Sequence, residues 1–154
     1  MAAESKMTTP TRSSKLQVGR YDATAVTHVD APADVLMSST QSFVFGDATA
    51  KNIVKLPAGS QIVDIIVSVD TAFDAATTNL LTVGIDGNDD LYVNDFSVAT
   101  AGRAAMGAAA MTAEWHDIGT SDVQIQLLYT QSGTAAAAGA ARVTILWVHS
   151  NDLA

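Results

Sequence analysis

The sequence contains no cysteine, and this absence removes several classes of structure and chemistry. Without thiols the chain has no disulfide, no thiolate metal ligand and no cysteine nucleophile. Proline occurs three times, and aromatic residues make up 6% of the chain. No apolar run approaches the roughly 20 residues that a membrane-spanning helix needs, and the first residues lack the apolar segment of a secretion signal. We therefore expect a soluble chain that is synthesised in a cytoplasm and contacts no membrane.

Basic residues are scarce and unevenly placed. The net charge is -8, yet four of the eight basic residues lie within residues 1–20, where there is only one acidic residue; the four are Lys6, Arg12, Lys15 and Arg20. The rest of the chain is strongly acidic and should repel phosphate backbones, so we expect no nucleic-acid binding by it. We predict two regions. Residues 1–20 form a flexible basic arm whose four basic residues bind a partner, and residues 21–154 form one domain.

Alternation of apolar and polar residues dominates from about residue 42 onward and predicts half-buried strands. The clearest strand is Gln61–Asp70, with Val63, Ile65, Val67 and Val69 expected on the buried face. The other predicted strands are Asn52–Leu56, Asn79–Ile85, Leu91–Val93, Asp95–Val98, Asp122–Thr130 and Arg142–His149.

Turn-forming residues separate these strands. Pro57–Ser60 and Asp86–Asp90 combine proline, glycine and short polar side chains in the manner of tight turns. The last two strands flank a Gly/Ala-rich segment, Gln131–Ala141, and we expect them to form an antiparallel hairpin. The segment Ala99–Ala113 fits a short helix or a loop equally well. Together these features predict an all-β protein, an antiparallel β-sandwich with a jelly-roll-like arrangement and an extended N-terminal arm.

Few residues suggest catalysis or ligand binding. The three histidines, His28, His116 and His149, form no closely spaced pair, and the sequence has no nucleophile-elbow, phosphate-loop or dinucleotide motif. Asp86, Asn88 and Asp90 are weak candidates for a Ca²⁺ site, because alternating oxygen ligands can converge on a hard cation. The EF-hand spacing fails, and turn formation explains these three residues better. We expect no cofactor, no metal and no enzymatic activity.

Aromatic and isolated basic residues are the remaining candidates for binding. Trp147 and Tyr129 fall in register with aliphatic core residues, so we assign them to the core. Trp115 and Tyr92 are in less regular surroundings, and we predict that they bind a partner at an interface. Arg103 is a further candidate for a partner contact. An exposed aromatic platform would instead favour a carbohydrate-binding module.

One stretch resembles a known class of proteins. The order Lys55–Val67, then Leu81–Gly84 and Asp86–Asp90, resembles small decoration or cement proteins of tailed bacteriophages. Phe73, the segment Val98–Gly102 and the final strand Val143–Val148 fit the same order, so that the resemblance spans roughly residues 53–149. The N-terminal arm lies outside it.

The resemblance implies a structural virion protein. Such proteins are β-sandwiches, often homotrimers, that bind the major capsid protein on the outer capsid surface and stabilise the shell. A tail or fibre adaptor subunit of a phage particle is the alternative within the same class. The arm is suited to reach a neighbouring subunit and pair with it by strand addition.

Overall fold

The computed structural model describes residues 35–107 and 113–149, which contain eight strands and one helical turn. The strands are β1 (Val35–Val44), β2 (Lys51–Leu56), β3 (Ser60–Thr71), β4 (Thr78–Ile85), β5 (Asn88–Ser97), β6 (Gly102–Ala105), β7 (Val123–Ser132) and β8 (Ala140–His149). The helical turn α1 (Ala113–His116) lies between β6 and β7. The predicted boundary at residue 20 lies outside the described residues.

The strands form two antiparallel four-stranded sheets. Sheet I has the order β1-β8-β3-β6, and sheet II has the order β2-β7-β4-β5. Because β-branched and aliphatic residues alternate along the central strands, each sheet has one apolar face, and the two faces pack on each other. The prediction of an all-β antiparallel sandwich is confirmed, and the strand order is consistent with a jelly roll. Among the described residues, no helix has the length and apolar character to cross a membrane.

The core lies between the two sheets and draws equally on both. Its fully buried side chains come from the central strands, where every second residue points inward. Burying one such aliphatic side chain contributes about 1.5–3 kcal/mol. These side chains include Ile65, Val67, Val143 and Ile145 of sheet I and Leu81, Val83, Ile125 and Leu127 of sheet II.

Strand β1 begins earlier than the sequence predicted. Regular pairing with β8 runs from Val35 opposite His149 to Val44 opposite Ala140, whereas strands were expected mainly from residue 42 onward. The inward-facing positions of β1 include Ser39 and Gln41, which break the apolar alternation that marks a strand in sequence. Pairing with β8, rather than local pattern, therefore determines where this strand starts.

A β-bulge changes which residues of β3 are buried. The register with β8 shifts between Ile62 and Asp64, so Val63 is an extra residue that points to solvent. The prediction that Val63 shares the core face with Ile65, Val67 and Val69 is wrong for Val63, whose place is taken by Ile62. The bulge also directs Asp64, whose Oδ1 accepts hydrogen bonds from the N–H groups of Ile65 and Gly107 at 2.8 Å each.

The hairpin of β4 and β5 has the tight turn that the sequence predicted. Ile85 lies opposite Asn88, and Gly87 adopts a positive φ of 82° between them. The two short strands expected at Leu91–Val93 and Asp95–Val98 form one irregular strand, in which Asp95 has a φ of 50°.

The last two strands do not form the predicted hairpin. Strand β7 belongs to sheet II and β8 to sheet I, so the connection between them crosses from one sheet to the other. A close approach fixes this crossing: a Cβ on Gly139 would lie only 2.4 Å from Cδ1 of Phe73. A flexible Gly/Ala segment fits a hairpin and a crossing equally well, which is why sequence reasoning chose the wrong one.

The ambiguous segment Ala99–Ala113 is neither one helix nor one loop. Gly102–Ala105 forms the short strand β6 beside β3, and α1 begins at Ala113. Residues 108–112 lie outside the described part of the chain. The alanine-rich stretch has good helix propensity, but part of it pairs with the backbone of β3 and so forms a strand.

Candidate interaction surfaces

The predicted binding residues of the arm lie outside the described residues. This applies to Lys6, Arg12, Lys15 and Arg20, and also to His28. Their role in binding a partner stays a prediction.

The two aromatic residues predicted at an interface are buried. Trp115 is 0% exposed and Tyr92 is 3% exposed, and both belong to the core cluster. The prediction that they are available to a partner is therefore wrong for the folded chain. In contrast, Tyr129 and Trp147 lie in the core as predicted. Trp115 is buried because α1 packs against β3 and β5. The irregular sequence around Trp115 gave no indication of this packing.

The two isolated arginines differ in their surroundings. Arg142 on β8 forms an ion pair with Asp70 on β3, with Nη2 and Oδ1 3.2 Å apart. Arg103 on β6 is exposed, and among the described residues no carboxylate lies within ion-pair distance of it. Arg103 thus remains available for a partner, and Arg142 is already neutralised.

The acidic turn is exposed at the tip of the β4–β5 hairpin. Asp86, Asn88 and Asp90 all point to solvent there. Within residues 35–107 and 113–149, no group of three histidine or acidic side chains could hold a metal ion. The turn geometry by itself accounts for these residues, as Gly87 completes the tight connection.

Three other carboxylates hold the connections between strands. Asp74 accepts hydrogen bonds from the N–H groups of Ala138 (2.9 Å) and Ala137 (2.8 Å), which lowers its pKa. Asp47 accepts one from Lys51 Nζ (2.7 Å) and one from the N–H of Val44 (2.8 Å), and its pKa is also lowered. These contacts lower the pKa because they stabilise the ionised form of each carboxyl group. An ionised carboxylate accepts hydrogen bonds at both of its oxygens, whereas a protonated one has less capacity to accept them.

The third of these carboxylates is Asp122, which precedes β7. Its side chain contacts Lys55 Nζ at 3.3 Å and accepts a hydrogen bond from the N–H of Ala58, so its pKa is lowered too. Lys55 lies on β2, as does the Lys51 that contacts Asp47. Two of the three carboxylates therefore anchor the edge strand β2.

A sandwich exposes four edge strands, and three of them have features that oppose pairing with another chain. Strand β2 is six residues long, carries Lys51 and Lys55 and is bulged. Strand β6 has four residues, including Arg103. Strand β5 is irregular in register and carries Asp89, Asp90 and Asp95. Short length, charge and bulges are the means by which natural sheets protect their edges.

The fourth edge strand, β1, has none of these features. It has ten residues, pairs with β8 without any register shift, and contains no charged residue and no proline. In the described part of the chain, every exposed large hydrophobic residue lies on sheet I or directly follows β1: Val35, Leu36, Val44, Phe45 and Val63. Sequence reasoning missed this edge, although the uncharged run from Val35 to Gly46 was a visible signal.

Comparisons with known proteins rest on the fold alone. No protein-family model matches the sequence, and no curated protein matches it. Among solved structures, a chain of the cyanophage Pam1 capsid asymmetric unit matches with a TM-score of 0.60 and 19% identity. The chain has a fold found in phage capsids. The match covers 90% of this chain and 97% of the Pam1 chain, so the two are similar in size.

A second capsid shows the same fold. A chain from the acid-stable capsid structure of the Helicobacter pylori bacteriophage KHP30 matches with a TM-score of 0.51 and 20% identity. That match covers 74% of this chain and 87% of the KHP30 chain. Both matches have low sequence identity, so what they show is a shared fold.

Proposed function

We propose that this protein is a structural component of a bacteriophage virion, and specifically a decoration or cement protein. It binds the major capsid protein on the outer surface of the shell and stabilises that shell. The observation that carries the proposal is the match to nearly the whole of a similarly sized chain in the Pam1 capsid. A match confined to one part of a larger protein would support a shared fold but not a shared kind of subunit.

The charges of the described domain support an outer location. Exposed acidic residues cluster at the β4–β5 hairpin, and sheet II has an acidic edge at β5. Such a surface is repelled by packaged DNA, whose phosphates attract lysine and arginine clusters. A protein with these charges is therefore better suited to the outside of a filled shell than to its interior.

The distribution of side chains supports a role in assembly rather than chemistry. The aromatic residues that a carbohydrate-binding platform would use, Trp115, Trp147, Tyr92 and Tyr129, are all buried. Apolar residues instead lie exposed along sheet I. Exposed apolar residues beside an open strand edge are typical of a surface that another protein covers.

The binding experiment uses shells of the encoding phage that lack this protein. Purified full-length protein is mixed with expanded shells and with unassembled major capsid protein, and co-sedimentation is measured together with the temperature at which the shells disrupt. We expect saturable binding to shells and a higher disruption temperature. Binding to tails but not to shells would contradict the proposal and favour the adaptor alternative.

A variant without residues 1–20 tests the role of the basic arm. Its deletion should weaken binding to shells, and the effect should shrink at high salt, because interactions of lysine and arginine with an acidic surface are screened. A matched variant keeps the arm but replaces Lys6, Arg12, Lys15 and Arg20 by glutamine. Equal binding of both variants and the full chain would show that the arm is not a contact.

A further inference from the structure

We propose that β1 is a self-association edge, on which β1 of a second copy pairs antiparallel about a two-fold axis at Ser38. The contact joins the two copies of sheet I into one eight-stranded sheet. The proposal rests on the edge itself and not on a place in a virion. It concerns a different contact from the homotrimer that the family resemblance implies, because a two-fold contact does not close a trimer.

Within residues 35–107 and 113–149, one side of the β1 backbone has a row of hydrogen-bonding groups without a strand partner. The N–H of Phe45 donates to the carbonyl of Gly139 at 3.1 Å, in line with the β1–β8 register. In an antiparallel pair, successive residues of a strand direct their N–H and C=O groups alternately toward and away from the partner strand. The backbone groups of odd-numbered residues of β1 therefore bond to β8, and those of even-numbered residues face away from it. Among the described residues, β1 pairs only with β8, which leaves Leu36, Ser38 and Thr40 facing outward.

The far end of the edge is already occupied, and this sets the register. The N–H of Val44 donates to Asp47, and the carbonyl of Ser42 accepts from Lys51 Nζ at 3.4 Å. The free row is therefore centred on Ser38. A second β1 placed antiparallel about that residue brings Ser38 opposite itself and Leu36 opposite Thr40 of the other copy.

The side chains of β1 are compatible with a copy of themselves. A strand that pairs about a two-fold axis places like residues near each other, so any charge close to the axis would meet the same charge. Strand β1 has no charge along its length, and at the proposed axis Ser38 meets Ser38 of the other copy, flanked by Met37 opposite Ser39. Hydroxyl side chains across a sheet pair favourably. A foreign strand would not require this neutrality, which is why a second copy is the occupant that the sequence favours.

The acidic edge strand of sheet II lies away from β1. Strand β2 lies next to β1, with Ser39 Oγ donating to the carbonyl of Ile53 at 3.1 Å, and β5 is at the opposite edge of sheet II. Two copies joined through β1 thus keep their acidic β4–β5 hairpins at the outer ends of the dimer. The same contact covers Val35 and Leu36, which are 60% and 58% exposed in the single chain.

Charged residues at the proposed axis provide the test. The full-length protein, Ser38→Lys, Ser38→Glu, an equimolar mixture of these two variants, and Thr130→Lys are compared by light scattering and sedimentation over a wide concentration range. Ser38 and Thr130 are both exposed on strands, and Thr130 lies on sheet II away from the proposed contact, so it is the matched control. Circular dichroism verifies that every variant is folded.

We expect a reversible dimer for the natural chain and for Thr130→Lys. Each Ser38 variant alone should associate at least about tenfold more weakly, because like charges meet at the axis. The mixture should regain dimerisation, since lysine then faces glutamate. A monomer or trimer of the natural chain, unchanged association of the Ser38 variants, or a mixture that stays monomeric would each overturn the proposal. Shell binding of Ser38→Lys is measured separately, so failure here is distinguishable from failure of the virion role.

Discussion

The two sheets have equivalent inner faces and different outer boundaries. Both contribute fully buried aliphatic residues to one core, with Ile145 of sheet I facing the same interior as Leu127 of sheet II. On the outside, sheet II ends in the charged strands β2 and β5, whereas sheet I has the short strand β6 with Arg103 at one edge and the uncharged β1 at the other. The inner faces follow from the need to fold, whereas the outer edges differ in charge and regularity.

The difference between the edge strands of the two sheets has a physical meaning, because it determines which edge can pair with another strand. A free strand edge pairs readily with other strands unless charge, short length or irregularity prevents it. Two ion pairs, those of Lys51 with Asp47 and of Lys55 with Asp122, hold β2 of sheet II against its own chain. Strand β1 lacks such features along Leu36–Thr40, and it contains Val35 and Leu36, the most exposed large hydrophobic residues in the described part of the chain.

The largest effect should come from truncating the shared core. Ile145→Ala in sheet I and Leu127→Ala in sheet II should each lower the free energy of unfolding by about 2–5 kcal/mol, since each leaves a cavity in a fully buried site. Urea unfolding followed by tryptophan fluorescence and circular dichroism measures both. Coincident transitions are expected because the sheets share one core. Separate transitions, or a cost confined to one variant, would contradict the equivalence of the inner faces.

A smaller loss of stability is expected from adding a methyl group to a tightly packed glycine of sheet II. The same change at an exposed glycine after β1 of sheet I should cost little. A Cβ on Gly84 of β4 would lie 2.1 Å from the carbonyl oxygen of Asn88, a backbone atom that cannot easily move. Gly84→Ala should therefore cost about 1–3 kcal/mol in unfolding free energy.

Gly46, which follows β1, is the control for that substitution. A Cβ there would meet nothing within 4 Å, so Gly46→Ala should change the unfolding free energy by no more than about 0.5 kcal/mol. Equal losses of unfolding free energy in Gly84→Ala and Gly46→Ala would show that β4 and β5 accommodate a methyl group at Gly84 without cost.

The smallest effect is a loss of stability in acid. It arises from a carboxylate in the connections between strands rather than from a residue of either sheet. The pKa of Asp74 is lowered in the folded chain by the N–H groups of Ala138 and Ala137. A carboxyl with a lowered folded pKa stabilises the protein above its unfolded pKa of about 3.9, and that stabilisation is lost as pH falls through the folded value. We expect the unfolding free energy to fall below about pH 4.

Asp74→Asn should make this fall in acid shallower while lowering stability at neutral pH, because an amide replaces an ionised acceptor. Chemical denaturation at several pH values provides the comparison. Asp89→Asn is the control, since the Asp89 side chain is exposed and its carboxylate has no hydrogen-bond partner in the described part of the chain. An identical pH profile for the natural chain and Asp74→Asn would mean that these hydrogen bonds do not contribute.

Much of the secondary structure could be predicted from local pattern. Alternation along β3, β4, β7 and β8 marked these strands and most of their buried residues, because side chains of a strand point alternately to its two faces. Glycine and proline marked the turns at Pro57–Ser60 and Asp86–Asp90 for a similarly local reason, since each residue's own backbone preference determines them. The sandwich class followed from the number of strands and the absence of long helices.

The candidate surfaces were harder to predict, because they depend on contacts between distant residues. Trp115 was expected at an interface but lies in the core, since its burial depends on α1 packing against β3. Val63 was expected in the core but faces solvent, since the bulge is defined only relative to β8. The free edge of β1 was missed because the uncharged run from Val35 to Gly46 becomes informative only once β1 is known to lie at the edge of a sheet.

The amino-acid sequence alone therefore determined most of the strand segments, the tight turns between them, and that no cysteine chemistry takes place, but not the start of β1 or the strand β6. Only the tertiary structure decided which sheet each strand joins, so that β7 and β8 lie in different sheets although they are consecutive strands. The physical reason is that side-chain alternation specifies which face of a strand is buried, whereas the neighbour of a strand is chosen by backbone hydrogen bonds that nearly every residue can make.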